Sequence, residues 1–340
     1  MSPSPSLSIP PCYRSPGILL HAPRTRGPFP FLCSQSSSFS KDQRQTHNCK
    51  GLKFIRGKKQ LKDLSTWGIG GPCNYFIQVF DQTQLVSAIR FCREHSIRFV
   101  VIGKGSNCLF DDVGFDGCVI LNRIEVGSGF RFNRLGVQCS NEGFTGLEFA
   151  GGIPGTVGGA TYMNAGANGQ ETANAIRSVE FVTMDGKFLR FSRTDLVFRY
   201  RSSPFQVMEE LAAIIAVTFE LQHSGSAKRR QHEYMERRRM SQPVGEQTAG
   251  SVFRNPLDMG VAAAELIEKA GLKGFRVGGA MVSKVHANFF INCGGSTSQD
   301  MLHLLALVKE KVDQKFGVQL KEEIIYIRPE IIDMDGNKDR

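Results

Sequence analysis

The 340-residue chain reads as a mixed helix-and-strand protein of two or three domains. Three observations predict this. Strand-like and helix-like patterns alternate between Asn74 and Leu121. A hairpin and a long strand follow between Val179 and Leu221. Amphipathic helices with glycine stops then occupy the C-terminal third.

In chain order, Asn74–Phe80 alternates in polarity as a half-buried strand does. Asp81 to His95 carries Leu85, Ala88, Ile89 and Cys92 at helical spacing, with Asp81 or Thr83 as the N-cap. Ile97–Ile102 is a short β-branched apolar run, expected as a buried strand, and it ends in Gly103-Lys104-Gly105-Ser106-Asn107. Cys108–Phe110 and Cys118–Leu121 are further strands. After Val126-Gly-Ser-Gly-Phe130 a helix is expected around Asn133–Glu142. Val179–Met184 and Lys187–Phe191 flank Asp185-Gly186, which predicts a hairpin with a type I′ turn. Leu211–Leu221 is another strand and Ser226–Met240 a basic helix. Gly260–Ala270 reads as a helix through Ala263, Leu266, Ile267 and Ala270, stopped by Gly271. Ser298–Phe316 is a long helix with a Leu302, Leu305, Val308, Val312 stripe and Gly317 beyond it.

Bulk composition excludes some classes of function. Apolar residues make up 41%, as in ordinary soluble proteins. No run of about 18 apolar residues exists, so no membrane partner is expected. Nine cysteines are scattered without a Cys-x-x-Cys pair, which argues against a zinc site or a disulfide framework, and no metal is expected. The net charge is +10, but it is uneven. Up to Lys50 there are six bases and one acid, in a stretch rich in Ser and Pro with no helix or strand period. That stretch reads as an organelle transit peptide, and its Ser/Pro content points to a plastid stroma rather than a mitochondrion; a plain disordered tail is the alternative. The charge excess elsewhere is too small to argue for nucleic acid.

The run Gly151-Gly-Ile-Pro-Gly-Thr-Val-Gly-Gly-Ala160 is the strongest local signal. Five glycines in nine residues do not suit a regular core element. They suit a backbone lying against something anionic, such as a pyrophosphate; a surface linker would carry more Ser, Lys and Glu. With Gly103–Asn107 it makes two glycine-rich loops, while the P-loop and dinucleotide patterns are absent. Ser251, in Thr248-Ala-Gly-Ser-Val-Phe-Arg-Asn-Pro256, is open to three roles: an acid, a nucleophile, or a turn serine bonding its own backbone. Arg201 follows Tyr200, an arrangement able to hold a carboxylate, although a surface arginine is the simpler assignment. Glu322-Glu323 opens an apolar strand, so one carboxylate faces each side. His286 reads most simply as a core residue. The Arg237–Arg239 run reads most simply as a solvated helix face, with attraction of an anionic substrate as the alternative.

Taken together, Thr66-x-Gly-Ile-Gly-Gly-Pro72, Gly103-x-Gly-Ser-Asn107, Gly146-Leu-Glu-Phe-Ala150, Gly152–Ala160, Met163-Asn-Ala-Gly166, Tyr200-Arg201, Gly250-Ser-Val-Phe-x-Asn-Pro256 and Gly278-Gly-Ala280 closely resemble the UDP-N-acetylenolpyruvoylglucosamine reductases, in the subtype that lacks an extra capping insertion. The resemblance spans about residues 60–328. It implies an α+β fold: a two-subdomain FAD-binding fold of the vanillyl-alcohol-oxidase type (58–122 and 123–222) plus an α/β substrate-binding domain (223–330). The leader would cover 1–57 and a tail 331–340.

It also implies non-covalent FAD, reduction by NADPH, UDP-N-acetylglucosamine enolpyruvate as substrate and UDP-N-acetylmuramate, a peptidoglycan precursor, as product. Hydride from flavin N5 would go to the vinyl carbon. Ser251 matches the family's proton donor to the adjacent carbon, and Arg201 and Glu323 match the pair that polarises the carboxylate. Gly103, Gly105, Ser106, Asn107, Gly152, Ile153, Gly155, Thr156, Gly158, Gly159 and Asn164 would hold FAD. Asn255, Tyr200 and His286 would contact substrate. A monomer is expected. One departure stands out: Leu121 runs into Val126-Gly127 through a connection shorter than the family's. A different oxidoreductase on the same fold, or a non-catalytic descendant, are the competing possibilities.

Overall fold

The computed structural model describes residues 18–20, 48–49, 52–124 and 127–329. Most of the expected leader, and the tail, lie outside these. Ile18–Leu20 pairs antiparallel with residues 219–221.

The first unit contains β1 (Ile55–Gln60), β2 (Pro72–Val79), α1 (Gln82–Glu94), β3 (Phe99–Ile102), β4 (Cys108–Phe110) and β5 (Phe115–Asn122). The sheet runs β1-β2-β5-β3, with β5 parallel to both β2 and β3. Asp81 caps α1 by accepting from Gln84 N at 2.8 Å, and Leu85, Ala88, Ile89 and Cys92 are all buried on the sheet. β1 corrects the expected start of the domain. Leu52 and Phe54 are buried in this core and Phe54 packs on Phe91, so a boundary at 57/58 would cut through a strand.

The second unit contains α2 (Phe132–Asn141), α3 (Val157–Met163), β6 (Ile176–Thr183), β7 (Phe188–Ser192), β8 (Leu211–His223) and α4 (Ala227–Ser241). β6 lies between β7 and β8, antiparallel to both, with Val179 opposite Phe191 and Val217. The hairpin turn is not type I′. Gly186 N donates to Thr183 O at 2.9 Å, and of the expected central pair, Asp185 and Gly186, only Gly186 has positive φ, at 80°. Asp185 keeps ordinary φ and pairs with Lys187, giving a three-residue loop with a glycine bulge.

α4 also corrects a boundary, because it packs on the second unit rather than the third. Its Arg230 lies 2.6 Å from Glu148, which is only 1% exposed. Burial alone would raise the Glu148 carboxyl, but the Gly146 N–H, the Thr145 hydroxyl and Arg230 outweigh it and hold the carboxyl below its usual range. The second unit therefore runs to about Gln242.

The third unit contains α5 (Ala263–Lys269), β9 (Ala280–Val282), β10 (Phe290–Asn292), α6 (Ser298–Phe316) and β11 (Ile325–Ile327). α5 is shorter than expected, since Gly260 takes φ 62° after a 3-10 turn and the helix starts only at Ala263. α6 has the expected bounds, and Gly317 ends it at φ 66°. This unit is stitched to the first. β11 pairs parallel with β4, Trp67 Nε1 donates to Phe290 O at 2.9 Å, and Trp67 and Ile69 enter the third core.

Candidate active site

A cavity of about 840 Å³ opens where the three units meet. The end of β3 and the loop after it bring Gly103, Gly105, Ser106 and Asn107 to its wall. The loop before α3 brings Gly152, Ile153, Gly155, Thr156, Gly158 and Gly159. The two loops touch. A Cβ on Gly103 would lie 2.5 Å from Thr156 Oγ1, and one on Gly105 would lie 1.9 Å from Leu64 O, where Gly105 also holds φ 60°. Side chains larger than hydrogen at these positions would push the walls apart.

The free backbone donors are not where a helix terminus would place them. Val157 N donates to Phe130 O, Gly158 N to Ser128 O, and Gly159 N to the cap oxygen of Thr156. Among the described residues, the N–H groups of Lys104, Gly105, Ser106, Gly155 and Thr156 form no backbone hydrogen bond of this kind. The N–H groups without backbone partners thus lie on the two loops rather than at the α3 terminus.

Ser251, Arg201 and Glu323 stand on the wall of the same cavity. Residues 251–254 form an extended segment held from both sides. Glu323 N donates to Val252 O at 2.7 Å, and Val252 N donates to Asn288 O at 2.9 Å. The Asn288 amide closes a reciprocal pair with Phe253, accepting its N–H at 2.9 Å and donating to its carbonyl at 2.8 Å. Asn107 Nδ2 donates to Glu323 O at 3.1 Å, which ties the first glycine loop to the segment that carries Glu323.

Arg201 is at φ 52°, the second central residue of a tight turn closed by Arg199 and Ser202, where glycine is the usual occupant. Its Nη2 donates to Gly166 O at 2.8 Å and its plane lies 5.0 Å from the Tyr200 ring centre. Arg201 Nε is 2.9 Å from Glu323 Oε1, but its N–H is not aligned with an acceptor. The ion pair is close without being a completed hydrogen bond, so the guanidinium has donors left for a ligand carboxylate. Burial pushes the Glu323 carboxyl up, while Arg201 and Arg254 pull it back.

Four expected contacts lie off the cavity wall. Asn164 is fully buried and its amide is spent on Glu171, Arg199 O and Ala173 N, so it builds the scaffold. Asn255 Oδ1 accepts from Ala263 N at 3.0 Å, and its N–H points to the Tyr200 hydroxyl at 3.4 Å. Tyr200 instead supports Arg201 from behind. His286 is half-buried, accepts from Asn288 N at 3.3 Å and packs edge-on to Phe289.

Other wall residues were not singled out from sequence as ligand contacts. Lys104 lies between the two glycines of the first loop. Burial, then the like charges of Arg131, Arg123 and Arg134, hold its ammonium below the ordinary range. The Arg237–Arg239 run does not form one solvated face. Arg237 and Arg238 line the cavity, and Arg238 is packed over Gly152, where a Cβ would lie 2.6 Å from its Cδ. Burial lowers the Arg238 pKa, and no acid pairs with it among the described residues. A half-buried arginine without a carboxylate partner puts positive charge on the cavity wall.

Comparison with known proteins agrees with this geometry. A family model described as an FAD binding domain matches residues 73–192, and one described as the C-terminal domain of UDP-N-acetylenolpyruvoylglucosamine reductase matches 242–327. The UDP-N-acetylenolpyruvoylglucosamine reductase of Protochlamydia amoebophila is 48% identical over 278 residues, covering 78% of this chain and 92% of that one. The chain belongs to the UDP-N-acetylenolpyruvoylglucosamine reductase family. The reductase of Chlamydia abortus is 42% identical over 281 residues, covering 79% of this chain and 93% of its own. The crystal structure of the Thermus caldophilus reductase superposes with a TM-score of 0.68 at 32% identity, over 81% of this chain and 98% of that one. The start of the C-terminal family match at residue 242 agrees with the assignment of α4 to the second unit.

Proposed function

We propose that this chain is an FAD enzyme that uses NADPH to reduce UDP-N-acetylglucosamine enolpyruvate to UDP-N-acetylmuramate. One observation carries the proposal. Ser251, Arg201 and Glu323 share a cavity with the two glycine loops. The residues present fit FAD: Gly103, Gly105, Gly152 and Gly158 leave no room for a Cβ, the two loops carry N–H groups without backbone partners, and Lys104 and Arg238 supply unpaired positive charge.

FAD, when bound, supplies the hydride that enters the enolpyruvyl double bond. Arg201 receives the substrate carboxylate through its remaining donors. Glu323 keeps the guanidinium in place, and the pair stabilises the charge that moves into that carboxylate as the double bond is reduced. Ser251 gives its hydroxyl proton to the carbon beside the carboxylate. An alcohol is a weak acid, so this works only because the acceptor is strongly basic and held close. Gly250 takes φ 82° just before Ser251, and the Asn288 pairing fixes the backbone just after it, so the hydroxyl stays aimed at the cavity.

The Ser/Pro/Arg-rich leader supports a plastid location for this activity. A fusion of residues 1–50 to a fluorescent protein tests that address. The reductase activity is tested on the purified chain by its visible flavin absorbance and by NADPH consumption with and without the enolpyruvyl substrate. Substrate-dependent oxidation of NADPH is expected. A colourless protein that cannot be reconstituted with FAD would sink the proposal.

A further inference from the structure

The short connection after β5 closes through two side chains. Asn122 is buried at 7% exposure and Ser128 at 1%, and both reach the cavity wall. Asn122 Oδ1 accepts from Ile124 N at 3.0 Å, which fixes the amide orientation, and its Nδ2 donates to Ser128 Oγ at 2.9 Å. The Ser128 backbone is fully engaged, because its N–H donates to Ile215 O and its carbonyl accepts from Gly158 N, both at 2.8 Å. An amide nitrogen only donates, so the serine oxygen is the acceptor and its own hydrogen is left over. Among the described residues that hydrogen has no protein acceptor.

We propose that Ser128, oriented by Asn122, is a cofactor-binding residue whose hydroxyl donates a hydrogen bond to an oxygen of FAD. The proposal rests on the FAD reading above. The same two side chains that bridge the shortened connection deliver a single, directed donor next to the Gly158 wall. Asn122 acts through Ser128 and is a positioning residue.

Replacing the serine separates this role from a structural one. Ser128→Ala in the full chain is expected to bind FAD about tenfold more weakly by fluorescence titration of the flavin-free protein. The Ser128→Thr variant, which keeps a hydroxyl, is expected to restore binding to within about threefold. Asn122→Asp keeps the acceptor for Ile124 N but offers Ser128 a carboxylate, which captures the serine proton. It is expected to match Ser128→Ala, and adding it to Ser128→Ala should cost little more. With FAD saturating, KM for NADPH and for the UDP-sugar should stay within about twofold, which distinguishes FAD from the other phosphate-bearing ligands. A wild-type chain that binds FAD, with Ser128→Ala equal to it, overturns this proposal alone. A KM effect without loss of FAD affinity also overturns it. A wild-type chain that never binds FAD overturns the functional proposal and this one together.

Discussion

Ser251 and Lys104 show how much one side chain can decide. Ser251 lines the cavity with Arg201 and Glu323, and the proposed reaction uses it as a proton source rather than a nucleophile. Ser251→Ala is therefore expected to leave flavin reduction by NADPH intact and to slow flavin reoxidation by substrate by about 10²-fold or more, followed by stopped-flow absorbance. Equal loss in both half-reactions would contradict the assignment. Lys104 is a pH-sensitive contact. Burial and three neighbouring arginines lower its pKa, so its charge is lost earlier on the alkaline side than for an ordinary lysine. FAD affinity is expected to fall as pH rises through that lowered pKa, and Lys104→Met to flatten the fall. An unchanged alkaline limb in Lys104→Met would remove Lys104 from the site.

At the scale of elements, the sequence marks what is local and misses what depends on the far side of a turn. α6 was legible to the residue because an apolar stripe and Gly317 agree, and in the structure a Thr297 capping box fixes its start. The two glycine loops and Ser251, Arg201 and Glu323 were legible as motifs and do meet in one cavity. The type I′ turn was misread because Asp-Gly also suits a three-residue loop, and Thr183 and Lys187 decide between them through their backbone pairing. Asn164 was misread because its motif neighbours the cavity while its amide turns into the scaffold. Arg238 was undervalued because only the packing over Gly152 shows that it lies against the second glycine loop. The first glycine loop carries an element-scale prediction. Gly105→Ala meets both a positive φ, costing about 1 kcal/mol, and the Leu64 carbonyl, so the loop must shift away from residues 64–65. FAD affinity is expected to drop at least about tenfold while the fold persists by circular dichroism. Unaltered affinity would mean that the loop is not part of the cradle.

At the scale of the whole molecule, each unit borrows from another. Trp67 from the first unit enters the third core, β11 returns from the third to pair with β4, and α4 closes the second unit while its arginines face the cavity between all three. The sequence shows three patterned regions but not this sharing, because periodicity reports which face is buried and not what buries it. The start of the fold follows the same logic. Composition turns ordinary only near Lys59, yet Leu52 and Phe54 are 5% and 2% exposed and β1 covers the edge of β2. Burying two such side chains contributes on the order of 3–6 kcal/mol, a large part of the 5–15 kcal/mol typical of a folded chain. A chain begun at Lys59 would lose both, break β1 and leave β2 with an unpaired edge that invites association. It is therefore expected to unfold about 10 °C or more below a chain begun at Asn48, or to aggregate during purification, as followed by thermal melts of the two side by side. Coincident melts would mean that Leu52 and Phe54 do not belong to the core.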